Sequence, residues 1–349
     1  MQAVDLKTEI TALAKSLGFS RVGCCNVDGA GVLAPEGRWL ASWVAAGRHG
    51  TMEYMARTLD ARVDPRKLLS GVASVIVLAA EHTRQDPRRG PAPGSIARYA
   101  RGRDYHNVLG KRARVVARLL RSRGHEARST VDSAPMFERA WAGRSGVGFS
   151  GKNCCTIVPG LGSHVLLATV LTSARLEPDA PIPPRCGSCR ACLDACPTGA
   201  FAGPFELDAR RCVSYLTIEN RGPIPEPLRE GIGDRLFGCD ECQEACPFCR
   251  TAPPPEGATA PFALDRRWVE SDATTFLRLD DASFAELTRA TPLRRPGRSG
   301  MARNAAIVLG NAGSAVHVPV LAEAARSDPS PVVREAAAWA LRRLRDRLG

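Results

Sequence analysis

Nine of the thirteen cysteines lie within residues 186–249, at spacings that suit metal ligation. The first run reads Cys186-x2-Cys189-x2-Cys192-x3-Cys196-Pro197. In bacterial ferredoxins this spacing holds a [4Fe–4S] cluster with three cysteines and gives the fourth to a second cluster. Three thiolates on one tight loop can reach three corners of a cubane, whereas the cysteine before proline points away. The run therefore predicts two neighbouring clusters.

A second run, Cys239-x2-Cys242-x3-Cys246-Pro247, aligns with the first but is one cysteine short, because Leu236 stands where the first run has Cys186. Cys212 and Cys249 compete to replace the missing ligand. We favour Cys212, because Cys249 follows the second Cys-Pro turn, where the chain should be leaving the cluster. With ligands crossing between runs, cluster 1 takes Cys186, Cys189, Cys192 and Cys246, and cluster 2 takes Cys196, Cys212, Cys239 and Cys242.

Zinc and disulfides explain these cysteines less well. Zinc sites prefer two separated Cys-x2-Cys pairs, and disulfide frameworks are typical of small secreted domains. Two adjacent clusters can pass electrons, so the runs predict a redox enzyme. A structural cluster pair is the alternative.

The chain has 349 residues and a formal net charge of +12. Residues 84–128 hold thirteen Lys and Arg against three acidic side chains (Arg84, Arg88, Arg89, Arg98, Arg101, Arg103, Lys111, Arg112, Arg114, Arg118, Arg121, Arg123 and Arg128). Such an excess favours a polyanionic partner. The alternative is a bias toward arginine over lysine in a high-GC genome. No apolar run is long enough for a membrane helix, and the first residues lack the layout of a signal peptide. We therefore expect a cytoplasmic protein without a membrane partner.

Secondary-structure signals predict an α+β multidomain protein. Strands and helices alternate over residues 1–177, which predicts an α/β domain; residues 74–80 read as a buried strand, and Asp104 can cap a helix that begins at Tyr105. A proline-rich linker at 178–184 leads into a ferredoxin-like two-cluster domain, residues 178–255. Residues 303–309 and 334–341 resemble each other and start 31 residues apart, which predicts HEAT-like helical repeats within residues 256–349. An ordinary helical hairpin is the alternative.

Several short motifs follow one another along the chain: residues 50–55 (GTMEYM), 97–106 (ARYARGRDYH), Asp132 with Glu138-Arg139, 151–153 (GKN), 211–220 (RCVSYLTIEN), both cysteine runs and the tail. Taken in order, they resemble those of the epoxyqueuosine reductases, and the resemblance covers the whole chain. Reductive dehalogenases resemble this family in their cobalamin and cluster domains, but they typically carry a twin-arginine export signal and lack a HEAT-like tail.

The resemblance implies a cobalamin-dependent reductase that acts on tRNA. Such enzymes remove the epoxide oxygen of epoxyqueuosine, at the wobble position, as water. The α/β domain would hold cobalamin, and the two [4Fe–4S] clusters would pass it electrons from an external donor. The basic surfaces and the helical tail would bind the anticodon stem-loop, and the target base would leave its stack. We expect a monomer.

The family pattern places the proton donor on Asp132, and we expect burial to raise the pKa of this carboxyl. A turn-forming aspartate before Ser133 is the alternative. Arg139 would position the substrate or Asp132, and Tyr105 and His106 would line the pocket. Structural roles are the alternatives for these three residues.

Lys152 and Asn153 would contact cobalamin, with a plain loop as the alternative. Some relatives have a cysteine before the Asp-Tyr-His motif, but residues 95–97 are Ser-Ile-Ala here, so we expect no thiolate ligand to cobalt from that stretch. We expect buried apolar roles for four other cysteines: Cys24, Cys25, Cys154 and Cys155.

Two other functions stay open on the sequence. One is a cobalamin-linked reductase of small molecules, and the other is an RNA-binding or electron-transfer protein with structural clusters. A nicotinamide or flavin site has little support. Gly146-x-Gly148-x-x-Gly151 spells the dinucleotide fingerprint, but a helix precedes it and a strand follows it, the reverse of what that site requires.

Overall fold

The computed structural model describes residues 5–28, 33–82, 93–253, 260–270 and 272–348. Its N-terminal part combines one four-stranded sheet with helices and short strand pairs. The elements are α1 (Leu6–Ser16), β1 (Arg21–Asn26), α2 (Ala34–Ala45), α3 (Glu53–Arg57), α4 (Leu59–Val63), β2 (Ser74–Glu81), β3 (Ser95–Ile96), α5 (Tyr105–Ser122), β4 (Ala127–Thr130), α6 (Glu138–Arg144), β5 (Phe149–Ser150), β6 (Thr156–Ile157) and β7 (Val165–Thr172).

The main sheet has the strand order β1-β2-β7-β4, and each neighbouring pair is antiparallel. The predicted fold class is confirmed. The antiparallel direction arises because α2, α3 and α4 return the chain to the end of the sheet where β1 stops, so that Asn26 pairs with Ser74.

Strand β2 is one of the two inner strands of this sheet, as its apolar sequence predicts. All eight of its residues are buried. Ile76 and Leu78 pack in the core formed with α1 and α5, whereas Val75 and Val77 pack in the core formed with α6. Because successive side chains of a strand point to opposite faces, both faces of the sheet are covered.

Helix α5 begins where the sequence predicts. The Asp104 side chain accepts a hydrogen bond from the backbone N–H of His106 at 2.9 Å, which satisfies one of the free N–H groups of the first turn. Leu109 and Val116 lie on its buried face. The cap and this face together fix the direction in which Tyr105 and His106 project.

The cysteine-rich part consists of short elements and loops. Residues 178–190, which include the predicted linker, contain no helix or strand. The elements that follow are α7 (Ala191–Asp194), β8 (Phe201–Gly203), β9 (Glu206–Leu207), α8 (Val213–Ile218), α9 (Glu226–Ile232), β10 (Arg235–Phe237), α10 (Glu241–Glu244) and α11 (Pro247–Arg250).

The C-terminal part is helical, and its long helices pack as the predicted repeats. The two similar segments lie in α15 and α17, which pack against each other. Asp328 and Arg298 form a buried ion pair at 2.6 Å. The helices are α12 (Arg266–Glu270), α13 (Ala273–Arg278), α14 (Asp281–Leu287), α15 (Gly297–Ala312), α16 (Val318–Ser327) and α17 (Pro331–Leu348).

The tail is anchored to the cysteine-rich part by Arg303, whose residue exposure is 0%. Its guanidinium donates to the backbone carbonyls of Leu216, Asn220 and Gly222 at 2.7–2.8 Å. Leu40 belongs to the same hydrophobic core as the tail helices. The predicted boundaries at 177 and 255 therefore cut through a shared core, and they stay predictions.

None of the helices in the described ranges is long and apolar enough to cross a membrane. Three of the predicted basic residues, Arg84, Arg88 and Arg89, lie outside the described residues, as does the predicted boundary at residue 255.

Candidate active site and cluster sites

Asp132 lies in the loop between β4 and α6, in a left-handed backbone conformation with φ of 43°. This region is strained for residues other than glycine. Its carboxylate accepts a hydrogen bond from the Tyr105 hydroxyl, and His106 Nε2 lies 3.2 Å from its Oδ2. The structure thus brings together three residues that the sequence assigned to one site.

His106 is held between two carboxylates. Its Nδ1 lies 2.8 Å from Asp104 Oδ1, on the side opposite Asp132, and its ring stacks on Tyr105 with centroids 4.1 Å apart. Burial disfavours the imidazolium, but the hydrogen bonds to Asp104 and Asp132 outweigh it and raise the pKa of His106 to about 9. His106 is therefore protonated at neutral pH.

The predicted rise in the pKa of Asp132 is wrong. Burial does work in that direction, but hydrogen bonds from His106 and Tyr105, with the positive charges of His106 and Arg139, lower the pKa of the carboxyl below its ordinary value. The array therefore stores its proton on His106 and keeps Asp132 as a carboxylate. The sequence alone did not show that His106, the stronger base, lies beside Asp132.

The Asp132 array lies at the surface, in a region that we call the recess. The side chain of Asp132 is 62% exposed, although protein atoms surround it on most sides. Tyr99 packs edge-on against Tyr105 at 5.9 Å. Arg295 lies over the ring of Tyr54 at 6.0 Å, and its charge acts on Asp132. The region over Asp132 therefore combines an exposed carboxylate with aromatic and cationic side chains.

Arg139 connects this recess to the segment 151–155. Its guanidinium donates to the backbone carbonyl of Cys154 at 2.5 Å, and its charge helps to lower the pKa of Asp132. The neighbouring Glu138, which the sequence did not single out as a site residue, is half-buried, and its Oε1 atom is buried. Burial, followed by the negative charge of Asp132, raises the pKa of Glu138 to about 7.

The four cysteines predicted for cluster 1 line one cavity of about 220 Å³. Lys152 and Phe248 are among the other residues that line it. Thiolates are the ligands that iron–sulfur clusters require, so this donor set fits the group. The cavity is lined by Cys186, Cys189, Cys192 and Cys246.

The cysteines predicted for cluster 2 also lie near one another. Burial raises the pKa of Cys239 to about 12, with the neighbouring Cys212 adding to the rise. Cys196 acts on Cys212 in the same way, and both Cys212 and Cys239 act on Cys242. These neighbours support Cys212 as the isolated ligand.

Cys249, the competing ligand, has other partners. Its sulfur accepts a hydrogen bond from the backbone N–H of Ser163 at 3.1 Å, and it lies beside Cys246 of cluster 1. Within the described ranges no three His, Cys, Asp or Glu side chains are placed to hold one metal ion.

Lys152 and Asn153 lie at the cluster loops and not at the Asp132 recess, where we expected them to meet cobalamin. Lys152 Nζ donates to the carbonyls of Gly187 and Cys189 at 2.6 and 2.8 Å. Asn153 is 4% exposed, and its side chain donates to the carbonyl of Cys242 at 3.1 Å. Both residues therefore brace loops that carry cluster ligands.

The expected burial of the other cysteines is confirmed in part. Cys24 and Cys25 are 3% and 6% exposed and pack in the core. Cys154 and Cys155 are half-buried, and Cys155 lies against Cys242. The second pair belongs to the surroundings of the clusters.

The loop of cluster 2 abuts the segment that leads to Tyr105. The carboxylate of Asp240 accepts a hydrogen bond from the backbone N–H of Arg98 at 2.8 Å. Gly238 has φ of 71°, and a Cβ there would lie 2.6 Å from the Cβ of Ala97. Only glycine permits so close an approach. The loop that carries Cys239, which is predicted for cluster 2, therefore packs against the segment that leads to the recess.

Comparisons with known proteins agree with this geometry. Residues 62–133 match the family model "Epoxyqueuosine reductase QueG, DUF1730", residues 185–249 match "4Fe-4S double cluster binding domain", and residues 294–347 match "HEAT repeats". The HEAT-like interpretation of the tail is therefore confirmed.

Curated proteins named epoxyqueuosine reductase are similar over nearly the whole chain. One from Pseudomonas aeruginosa is 40% identical, with 97% of this chain and 94% of that protein aligned. One from Xanthomonas campestris is 37% identical, with 97% and 96% aligned.

Two solved structures have the same fold. An epoxyqueuosine reductase crystallised with an epoxyqueuosine-modified tRNA-Tyr stem loop has a TM-score of 0.88 and 32% identity, covering 97% of this chain and 90% of its own. A Bacillus subtilis epoxyqueuosine reductase, whose catalytic aspartate loop is swung out of the active site, has a TM-score of 0.87, 33% identity and the same coverage.

Proposed function

The chain belongs to the epoxyqueuosine reductase family, and we propose that it reduces epoxyqueuosine to queuosine at the wobble position of tRNA. The observation that carries the proposal is the hydrogen-bonded array of Asp132, Tyr105 and His106, in the recess and next to the segment that packs against the cluster 2 loop. The relative solved with an epoxyqueuosine-modified stem loop supports the same substrate.

The chain carries two [4Fe–4S] clusters in its cysteine-rich part, and cobalamin would bind in the recess over Asp132. When bound, cobalamin supplies a reduced metal centre that can transfer electrons to the epoxide. Tyr105 and His106 would lie along one side of this group, and Arg139 would hold the neighbouring segment in place.

Asp132 and His106 would supply the proton for this reaction. Opening the epoxide leaves a negatively charged oxygen, and a proton delivered to that oxygen lowers the barrier. His106 holds a proton on the nitrogen that faces Asp132 Oδ2, so the carboxylate can take the proton and pass it to the leaving oxygen. Tyr105 fixes the carboxylate, and Asp104 keeps the imidazolium charged. In the Bacillus relative, too, the catalytic residue is an aspartate on a loop.

Electrons from an external donor would enter at cluster 1. Residues 187–190, which include Cys189, are exposed, and so is Arg185. A protein carrier of negative charge would find two exposed arginines there, Arg185 and Arg190. The cluster 2 loop packs against the segment that leads to the recess. Electrons would therefore pass from the donor to cluster 1, then to cluster 2, and then to the recess.

The tRNA would be held through its phosphates by basic side chains on exposed helix faces. Helix α5 presents Lys111, Arg114 and Arg118 to solvent, and α17 presents Arg342 and Arg345. We propose that a single chain in the cytoplasm acts on the anticodon stem-loop, since the recess and both cluster sites lie within one chain.

The test is an anaerobic assay. The protein is reconstituted with iron, sulfide and cobalamin and is mixed with a chemical reductant and tRNA that contains epoxyqueuosine. The nucleosides are then analysed by mass spectrometry. We expect one oxygen to be lost, only when cobalamin is present. Loaded clusters and corrin with unchanged tRNA would exclude the proposal and direct attention to small-molecule substrates.

A further inference from the structure

The proposed reaction consumes more protons than the Asp132 array stores. Removal of an epoxide oxygen as water, with formation of a carbon–carbon double bond, takes up two electrons and two protons. The electrons come from the external donor. His106 can release one proton through Asp132, since Asp132 is itself a carboxylate. The second proton needs another acid near the recess.

Glu138 is the unused acid in this part of the molecule. It is the first residue of α6, six positions after Asp132. Its Oε1 is buried and finds no hydrogen-bond partner among the residues that the structure describes. A buried, unpartnered carboxylate oxygen is costly. A protonated carboxyl, which can donate a hydrogen bond into a neighbouring group or a water, removes much of that cost.

The charges that face Glu138 come from three elements. Asp132, in the loop before α6, disfavours a second negative charge; Arg62 of α4 and Arg139 of α6 favour it. Arg62 is partly committed elsewhere, because it hydrogen-bonds Thr58 at 3.0 Å and lies over the ring of Tyr54 at 5.8 Å. Arg139 is directed to the carbonyl of Cys154. Neither arginine forms an ion pair with Glu138 in the described part of the chain.

We propose that Glu138 is a proton-relay residue that supplies the second proton of each turnover through Asp132. After the first proton has left Asp132, the carboxylate is again a base, and the proton of Glu138 passes to it and then to the leaving oxygen, which departs as water. Solvent protons restore Glu138 and His106. This inference rests on the proposed function, because it counts the protons of that reaction.

The ratio of protonated to ionised carboxyl at Glu138 agrees with the geometry. The pKa of Glu138, raised to about 7, means that a large fraction of the carboxyl carries a proton at neutral pH. A purely structural role at the start of α6 would not need that proton. Glutamine keeps the shape and the hydrogen-bonding amide but cannot act as an acid, so it separates the two roles.

The experiment compares Glu138→Gln and Glu138→Asp with the wild type. The matched control is Glu36→Gln, because Glu36 pairs with Arg144 at the other end of α6, at 3.3 Å. Single-turnover loss of the epoxide oxygen is measured from about pH 6 to about pH 10 in the reconstituted protein. The wild-type rate should fall as the pH rises through about 7. Glu138→Gln should lose this limb and be slower by at least about tenfold at low pH, while Glu138→Asp and Glu36→Gln keep it.

A second readout does not depend on turnover. Infrared difference spectra of the loaded protein should show a protonated carboxyl that titrates near pH 7 and is absent from Glu138→Gln. A wild-type pH profile and an unchanged infrared titration in Glu138→Gln would overturn the proposal. If the wild type fails to reduce the tRNA but the carboxyl band behaves as described, the proposed function fails while Glu138 remains a proton store.

Discussion

Replacing Asp132 by Asn removes the charge of the central carboxylate and changes little else. The amide oxygen can still accept the hydrogen bond of Tyr105, so the loop keeps one of its contacts. His106, however, loses one of its two carboxylate partners. Its pKa should fall from about 9 toward the ordinary value of 6.5, without reaching it, because Asp104 remains 2.8 Å from Nδ1.

The expected loss of rate follows from the role of the array. A positioned general acid contributes about 10²–10⁴ in rate, which corresponds to about 3–5 kcal/mol of activation free energy. Asp132→Asn removes the group through which the His106 proton reaches the recess, so the single-turnover rate should fall within this range. Asp28→Asn is the matched control, because Asp28 forms an exposed ion pair with Arg175 at 2.9 Å.

Two measurements decide the outcome. Quench-flow sampling with nucleoside mass spectrometry gives the rate of oxygen loss, and an NMR titration of His106 gives its pKa. Iron and corrin contents should equal those of the wild type, since the variant touches neither cysteine loop. Near-normal turnover in Asp132→Asn, or a His106 pKa still near 9, would refute the assignment of Asp132 as the proton-transferring group.

Three further outcomes test other parts of the structure. Cys212→Ser should lose one cluster and about half of the bound iron, whereas Cys249→Ser should keep both; iron analysis and electron paramagnetic resonance distinguish them, and equal iron in the two variants would contradict the assignment. Arg303→Met should lower the free energy of unfolding by about 3–5 kcal/mol, measured by denaturant titration, because it leaves two buried carbonyls and one half-buried carbonyl without their hydrogen-bond donor. An unchanged midpoint would contradict this. The dissociation constant for the tRNA stem-loop should rise steeply with salt, and less steeply in Arg342→Gln/Arg345→Gln; a flat salt response would exclude phosphate contacts.

Local sequence signals predicted the elements that depend on neighbouring residues. The spacing of the cysteines indicated two clusters because ligands of one loop are close in sequence. Asp104 indicated the start of α5 because a cap acts within the first turn. The apolar run of β2 indicated burial on both faces. In each case the physical cause spans only a few residues, so that it is visible in the sequence.

The remaining features depend on contacts between distant parts of the chain. Lys152 meets carbonyls 35 and 37 positions away, and the sequence carries no signal that pairs them. The direction of the Asp132 pKa shift depends on His106, 26 positions earlier, because a protonated imidazole outweighs the burial that was expected to dominate. Strand direction in the main sheet depends likewise on where α2–α4 return the chain.

The segment 97–106 joins the electron path to the proton path. Its first part lies against the cluster 2 loop, where Ala97 donates to the carbonyl of Phe237 and Arg98 to Asp240, both at 2.8 Å. Its last part supplies Asp104, Tyr105 and His106. A shift of the cluster 2 loop would therefore also move Asp104, Tyr105 and His106.

The strain at Asp132 gives this coupling a physical consequence. A non-glycine residue in the left-handed region costs about 1–3 kcal/mol, and at Asp132 the opposing interactions are the hydrogen bonds to Tyr105 and His106. The loop should therefore leave the recess when those partners are lost. Tyr105→Phe should raise the hydrogen-exchange rates of the backbone amides in the Asp132 loop. It should also lower the rate of oxygen loss, with iron content unchanged. Amide exchange in Tyr105→Phe as slow as in the wild type would contradict this reasoning, because the Tyr105 hydrogen bond would then not be needed to hold Asp132 in place.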